Sequence, residues 1–225
     1  MNDRLLDAAR KTVPTLSANA ARTERELRPA PDSVEAVRDA GLFALSVPTE
    51  AGGLDTDMRT FVEVIAELGR GCASTAWVVG LSASAKKLIG SIATDSTRDA
   101  LLADPNAVVC ASGVPKGASG ERVPGGLRIS GRWAMASGSE LASWAMVMVP
   151  LAGDGPSAVC PTLVPVSDLS IERTWRAAGL AGTSSHTLVA EDVLVPEHLV
   201  TFPNGSPAMP RRRRRSWPAW RRSRP

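Results

Sequence analysis

The sequence has no tyrosine, only three phenylalanines and two histidines among its 225 residues, and just 4% aromatic side chains in all. No apolar run approaches the roughly 20 residues that a bilayer-spanning helix needs. The N-terminal Met1-Asn2-Asp3-Arg4 leads into a mixed polar stretch without an apolar signal core, so no secretory leader is expected. The three cysteines, Cys72, Cys110 and Cys160, are far apart and odd in number. They form no C-x-x-C pair and have no ligand spacing to His186 or His198. Reduced, buried thiols of a cytoplasmic protein are expected, without a metal site or disulfide scaffold. Dinucleotide-binding, Walker, H-E-x-x-H and G-x-S-x-G motifs are all missing.

A large core is available, because 44% of the residues are hydrophobic and 22% charged. The formal charge of +3 conceals an uneven distribution. Residues 211–225 hold eight arginines and no acid, which leaves 18 basic against 23 acidic residues in the rest. The body is mildly acidic, which argues against a nucleic-acid partner for it. The stretch NGSPAMPRRRRRSWPAWRRSRP has no helical or strand period. It reads as a frameshifted or truncated end of a GC-rich gene, as a basic arm for an anionic surface, or as a solvated tail.

The first hundred residues have helical spacing. Leu5, Leu6, Ala9, Val13, Leu16, Ala20 and Leu27 predict one helix over 3–27, with Pro14 able to split or kink it. A short helix over 33–40 is expected behind an Asp32 cap, with Gly41 past its end. Ala51-Gly52-Gly53 marks a turn. A helix over about 57–69 follows, capped by Asp55 or Thr56, with Phe61, Val62, Ile65 and Leu68 on its apolar face. Ala73–Ile92 is apolar and small on nearly every side, as a helix buried between others would be. A last helix runs from about 96 to 103. From residue 106 onward, short β-branched runs separated by Gly, Pro, Ser and Asp predict a compact all-β unit.

Three glycine-rich segments of that unit could carry chemistry. Cys110–Gly120 (CASGVPKGASG) follows a strand, and its small residues could open backbone N–H groups to a planar or anionic ligand. Gly126–Gly138 reads as a hairpin followed by a strand ending in Ser137, whose hydroxyl could meet a ring nitrogen of a cofactor. Trp175–His186 (WRAAGLAGTSSH) brings two glycines and three hydroxyls together and could hold phosphate. Taken singly, each is better read as an ordinary turn or surface loop, and His186 reads as structural.

In this order, and with LFALSVPTEAGGL (Leu42–Leu54), GRWAMASGSELASW (Gly131–Trp144) and VLVP (Val193–Pro196), the segments resemble the acyl-CoA dehydrogenase superfamily over roughly residues 20–200. The implied fold is α+β: an N-terminal all-helical domain over 1–105, a β-barrel-like domain over 106–203, and a basic tail over 204–225. The family's C-terminal four-helix bundle, on the order of 150 further residues, is missing from this sequence. Dehydrogenases of the family usually carry Thr-Glu where Gly113-Val114 stand, and an aromatic residue and Ile where Met135-Ala136 precede Ser137. The segments are more similar to the two-component flavin-dependent monooxygenases.

That resemblance implies reduced FAD or FMN as cofactor, a separate flavin reductase, a small organic substrate and a homotetramer of the full-length protein. It places Ser137 beside flavin N5 as the catalytic hydroxyl and gives Ser112 and Gly113 backbone contacts to the ring. It makes Trp133 and Gly138 part of the same wall, and Thr183, Ser184 and Ser185 candidates for the substrate or phosphate side. Some phenol-hydroxylating relatives carry a histidine in the long apolar helix, where Ala83, Ser84, Ala85 and Lys86 stand here, which argues against a phenolate substrate held by that group. The alternatives are an acyl-CoA dehydrogenase, which would need a catalytic carboxylate, and a non-catalytic remnant.

Overall fold

The computed structural model describes residues 2–152 and 158–202. The Arg-rich segment, with its three readings, lies outside the described residues. Helices fill the first half: α1 (Asn2–Glu26), α2 (Pro31–Asp39), α3 (Met58–Gly71), α4 (Ala73–Ile92) and α5 (Asp95–Leu102). Strands fill the second: β1 (Val109–Ser112), β2 (Val114–Val123), β3 (Gly126–Ala136), β4 (Trp144–Pro150), β5 (Val159–Pro165), β6 (Ser170–Glu172) and β7 (His186–Pro196).

In α1, Leu5, Ala9, Thr12, Leu16 and Thr23 recur every three, four or seven residues and are buried. They lie on one face of a helix, and that face packs chiefly on α3. Pro14 sits inside this helix on its exposed side and does not end it. The helix chains approach closely at Gly71, where a Cβ would lie 2.7 Å from the Leu16 Cβ.

Two expected caps are replaced. Helix α2 starts at Pro31 behind Ala30, whose side chain caps nothing; Asp32 falls in the first turn. A proline is well placed there because the first helical N–H groups have no partner to lose. Helix α3 is capped by Asp57, whose carboxylate accepts from Thr60 N at 2.9 Å and from the Thr60 hydroxyl at 3.0 Å. The buried face of α3 runs through Thr60, Val64 and Leu68 and not through Val62, which is 54% exposed.

Helix α4 belongs to both cores. Its first half, with Ala76, Val78, Val79 and Ala83, joins the helical cluster around Phe43, Leu45 and Leu68. Its second half, with Ala85 and Ile89, joins the cluster between the sheets. The Ser82 hydroxyl also accepts from Val109 N at 2.9 Å, tying α4 to the first strand. Lys86 is fully buried in α4 and donates to the Phe43 carbonyl (3.0 Å) and the Pro105 carbonyl (2.8 Å). Burial pushes its ammonium down to about 8; Asp104 opposes the shift and Arg38 adds to it.

The strands form two sheets. One has the order β1-β4-β5, with β1 and β4 parallel and β4 and β5 antiparallel. The other has the order β2-β3-β7-β6 and is antiparallel throughout. Among the described residues they form a two-sheet unit and not a closed barrel. Ile129, Trp133, Val147, Val149, Leu163 and Leu188 fill the space between them. Cys110 and Cys160 are buried there as free thiols, and burial pushes them up to about 12 and about 11.

Two expectations about the strands need correction. Gly126–Ala136 is one strand, not a hairpin followed by a strand. Gly131, at φ 142°, bulges within it beside the Ala118 backbone. The glycine-rich stretch after Gly113 is strand β2, whose backbone pairs with β3 from Val114↔Ala134 to Val123↔Gly126. Its place at the sheet edge explains why Pro115 and three glycines or charged residues in a row are tolerated. No helix among the described residues is long and apolar enough to cross a membrane.

Candidate functional site

The site forms where the end of β3 meets the turn before β7. The β3–β7 register slips between Trp133 and Ala136, and Met135 occupies the slip at φ 62° with its side chain exposed. A bulge of this kind re-aims the residues that follow it. Ser137 N donates to the Met135 carbonyl at 3.1 Å, which folds the chain back on itself. Gly138 follows at φ 81°, and a Cβ there would lie 2.9 Å from Val78 on α4. Only glycine meets both demands, left-handed backbone and close approach.

The opposing turn is equally constrained. Leu180 and Ser184 both have left-handed backbones, at φ 55° and 50°. Gly182 sits against α1, where a Cβ would fall 2.3 Å from Thr23 Cγ2. The two turns are joined by backbone bonds. Gly138 N donates to the Thr183 carbonyl at 2.8 Å, and Ser139 N donates to the Ser184 carbonyl at 3.3 Å. The Ser139 hydroxyl donates to that same carbonyl at 2.8 Å.

A line of hydroxyls runs through this junction. Trp77 Nε1 on α4 donates to Ser137 Oγ at 3.2 Å. Ser137 Oγ lies 2.7 Å from Ser185 Oγ, which lies 2.7 Å from Thr183 Oγ1. Thr183 Oγ1 donates to the Leu180 carbonyl at 2.8 Å. Ser137 is 7% exposed and the other two hydroxyl residues are 4% or less. The Thr183 and Ser185 hydroxyls are therefore engaged internally and are not offered to a phosphate. Ser184 takes a separate position: its hydroxyl accepts from Glu140 N at 3.3 Å and faces a Glu140 carboxylate oxygen at 3.5 Å.

The remaining candidates divide. The Ser112 hydroxyl donates to the Ala134 carbonyl at 2.5 Å and accepts from Val114 N at 3.3 Å, so its side chain is fixed between β2 and β3. Gly113 is exposed and has nothing within 4 Å of an added Cβ. Trp133 lies elsewhere than the wall expected for it. It is fully buried between the sheets, and its indole N–H donates to the Met148 carbonyl at 2.8 Å. Its side chain faces the core because residues alternate along β3.

Sequence reasoning missed Trp77 and Glu140. Trp77 has a signal in hindsight: it is the single aromatic side chain of a small-residue helix, and it is 47% exposed. Glu140 is held by Arg173, whose Nε donates to it at 2.7 Å. It also lies 3.9 Å from Nε2 of the buried His186. His186 Nδ1 accepts from Trp175 N at 3.2 Å, so a neutral ring carries its proton on Nε2, toward Glu140. Burial lowers the His186 pKa; Glu140 works against that shift and Arg173 with it. Among the described residues, no cluster of three or more His, Cys, Asp or Glu side chains could hold a metal.

Residues 2–105 match the family model for the acyl-CoA dehydrogenase N-terminal domain. The chain is 38% identical over 198 residues to the oxygenase component of an FADH2-dependent resorcinol hydroxylase from Rhizobium sp. (strain MTP-10005). That alignment takes in 86% of this chain and 48% of the relative. It is 34% identical to HsaA, the oxygenase subunit of a flavin-dependent monooxygenase from Rhodococcus jostii (strain RHA1), over 84% of this chain and 49% of that one. Among solved structures, XiaF from Streptomyces sp., in complex with FADH2 and glycerol, superimposes with a TM-score of 0.84 at 32% identity. The superposition covers 90% of this chain and 52% of XiaF. The chain thus spans about half the length of the relatives it matches. Residues 2–105 belong to the acyl-CoA dehydrogenase N-terminal domain family, and from the helical half through the β sheets the chain is similar to oxygenase components of flavin-dependent monooxygenases.

Proposed function

We propose that this chain forms part of the flavin site of a monooxygenase that uses reduced FAD or FMN and O2 to hydroxylate a small organic substrate. The residues at the junction fit a flavin ring. Such a ring needs open apolar cover and a few polar groups at one edge. Val114, Met135 and Trp77 are exposed apolar side chains around the ends of β2 and β3, and Gly113 leaves space between the strands. Ser137 is the hydroxyl among them, and this placement carries the reading.

In this reading Ser137 meets the polar edge of the ring, and Ser112 and Gly113 offer backbone contacts. Gly138 keeps the turn flat against α4, and Trp133 secures β3 from behind. Thr183, Ser184 and Ser185 hold the opposing turn. Trp77, Val114 and Met135 keep water from one side. A bound reduced flavin supplies the electrons that activate O2. The chain's own work is to position it and exclude solvent.

The relatives' names support a separate flavin reductase as partner and an aromatic substrate class. They include a resorcinol hydroxylase, an indole-3-acetate monooxygenase from Pseudomonas putida and a p-hydroxyphenylacetate 3-hydroxylase from Acinetobacter baumannii. The helical unit over 1–105 and the β unit over 106–203 would serve in a cytoplasmic homotetramer. Anaerobic titration of the chain with dithionite-reduced FMN and FAD is the test. Saturable binding that weakens in Trp77→Ala is expected. Failure of both reduced flavins to bind overturns the reading.

A further inference from the structure

We infer that Ser185 and Thr183 are positioning residues that fix the direction of the Ser137 hydroxyl, and that this direction lets the site distinguish reduced from oxidised flavin. The inference rests on the reading that a flavin edge meets Ser137.

The direction follows from proton counting. A hydroxyl has one proton to donate and two lone pairs to accept with. Thr183 commits its proton to the Leu180 carbonyl. The 2.7 Å contact between Thr183 and Ser185 therefore needs the Ser185 proton. The 2.7 Å contact between Ser185 and Ser137 then needs the Ser137 proton. Trp77 is a donor only, and it takes one Ser137 lone pair. What Ser137 has left is a lone pair. Without a ligand, the relay presents Ser137 outward as an acceptor.

The relay can also run the other way. The Leu180 carbonyl receives Trp175 Nε1 at 3.0 Å and Thr183 N at 3.2 Å as well as the Thr183 hydroxyl. It therefore stays bonded if Thr183 turns to Ser185, Ser185 turns to Ser137, and Ser137 points its proton outward. Reversal costs the Thr183–Leu180 bond, and one net hydrogen bond is worth about 0.5–1.5 kcal/mol. The ring nitrogen N5 of a reduced flavin carries a proton and donates; that of an oxidised flavin has a bare lone pair and accepts. The resting relay suits the reduced ring, and the oxidised ring must reverse it. Discrimination at N5 then comes from two side chains that need not touch the flavin.

Two measurements test this, one of them without flavin. The Trp77 indole N–H resonance, assigned by its loss in Trp77→Phe, reports the bond to Ser137. Thr183→Val removes the end of the relay, two hydroxyls away from Trp77, and is expected to move that resonance. Thr183→Ser keeps the hydroxyl and is expected to restore it. An unmoved resonance in Thr183→Val overturns the relay.

The second measurement is the ratio of dissociation constants for oxidised and dithionite-reduced FAD under anaerobic conditions. The unmodified chain should bind reduced FAD more tightly. Ser185→Ala and Thr183→Val release the Ser137 proton and should lower the ratio about three- to tenfold, mainly by strengthening oxidised binding; Ser185→Thr should not. An unchanged ratio in both variants overturns the discrimination. Failure of both reduced FAD and reduced FMN to bind, with the indole response intact, overturns the functional reading together with the discrimination built on it.

Discussion

Cys110–Gly120 and Gly179–His186 look alike as text. Both are runs of glycine, serine and small apolar residues after a strand or an aromatic residue. They end as opposites. The first becomes β1, an open turn at Gly113, and an edge strand whose side chains mostly face water. The second becomes a knot with residues 181–190 all buried, held by two left-handed residues, α1 on one side and the Ser137 turn on the other. Composition of this kind licenses a sharp backbone path. The neighbours that the path meets decide whether the result is surface or interior.

Glycine substitutions break the comparison most directly. Gly182→Val must displace Thr23, including its backbone carbonyl, which lies 2.8 Å from an added Cβ. Overpacking of this severity should lower stability by about 3 kcal/mol or more, seen as a large fall in the urea midpoint. Gly113→Ala enters open space and should stay within about 0.5 kcal/mol of the parent. Equal losses in the two variants would show that the turns are not so different.

A buried charge sharpens the same contrast between interior and surface. Lys86 in the folded chain titrates near 8, below its ordinary 10.5. Between those values the unfolded chain holds more protons, so this residue makes stability rise with pH over that window. Between pH 7.5 and 9.5 the rise should be about 2 kcal/mol, and Lys86→Met should flatten it. Urea unfolding at pH 7.5 and 9.5, parent against variant, gives the answer; the same slope in both would refute it.

The smaller effect lies at the first turn. Ser112→Ala removes the donor to Ala134 O and the acceptor for Val114 N. A loss of about 1–2 kcal/mol is expected, because the main-chain ladder between β2 and β3 remains. Thermal unfolding will show whether the edge depends on this hydroxyl more than that.

The sequence discloses elements whose signals are local. The bounds of α4 are readable as Ala73–Ile92 because its run of apolar and small residues spans that stretch. The α3 start is misread by one residue and its cap by one or two, since Asp55, Thr56 and Asp57 are all plausible caps and only the bond to Thr60 N distinguishes them. Strand β2 is hidden because edge strands tolerate glycine, proline and charge, which are the usual marks of a loop. Ser137 is legible through its place at the end of a strand. Its partners are not: Trp77 is 60 residues before it and Ser185 is 48 after it. Spacing along the chain carries no trace of contacts at such range.

The contact between Gly182 and Thr23 also has a consequence for how the protein is made. A ribosome delivers α1 first, and the turn that covers its Thr23 end comes about 160 residues later. At roughly 5–20 residues per second, that end waits on the order of ten to thirty seconds for its cover. Nascent chains cut between residues 105 and 180 should therefore hold a packed helical half with one loose end, and proteases should find it there.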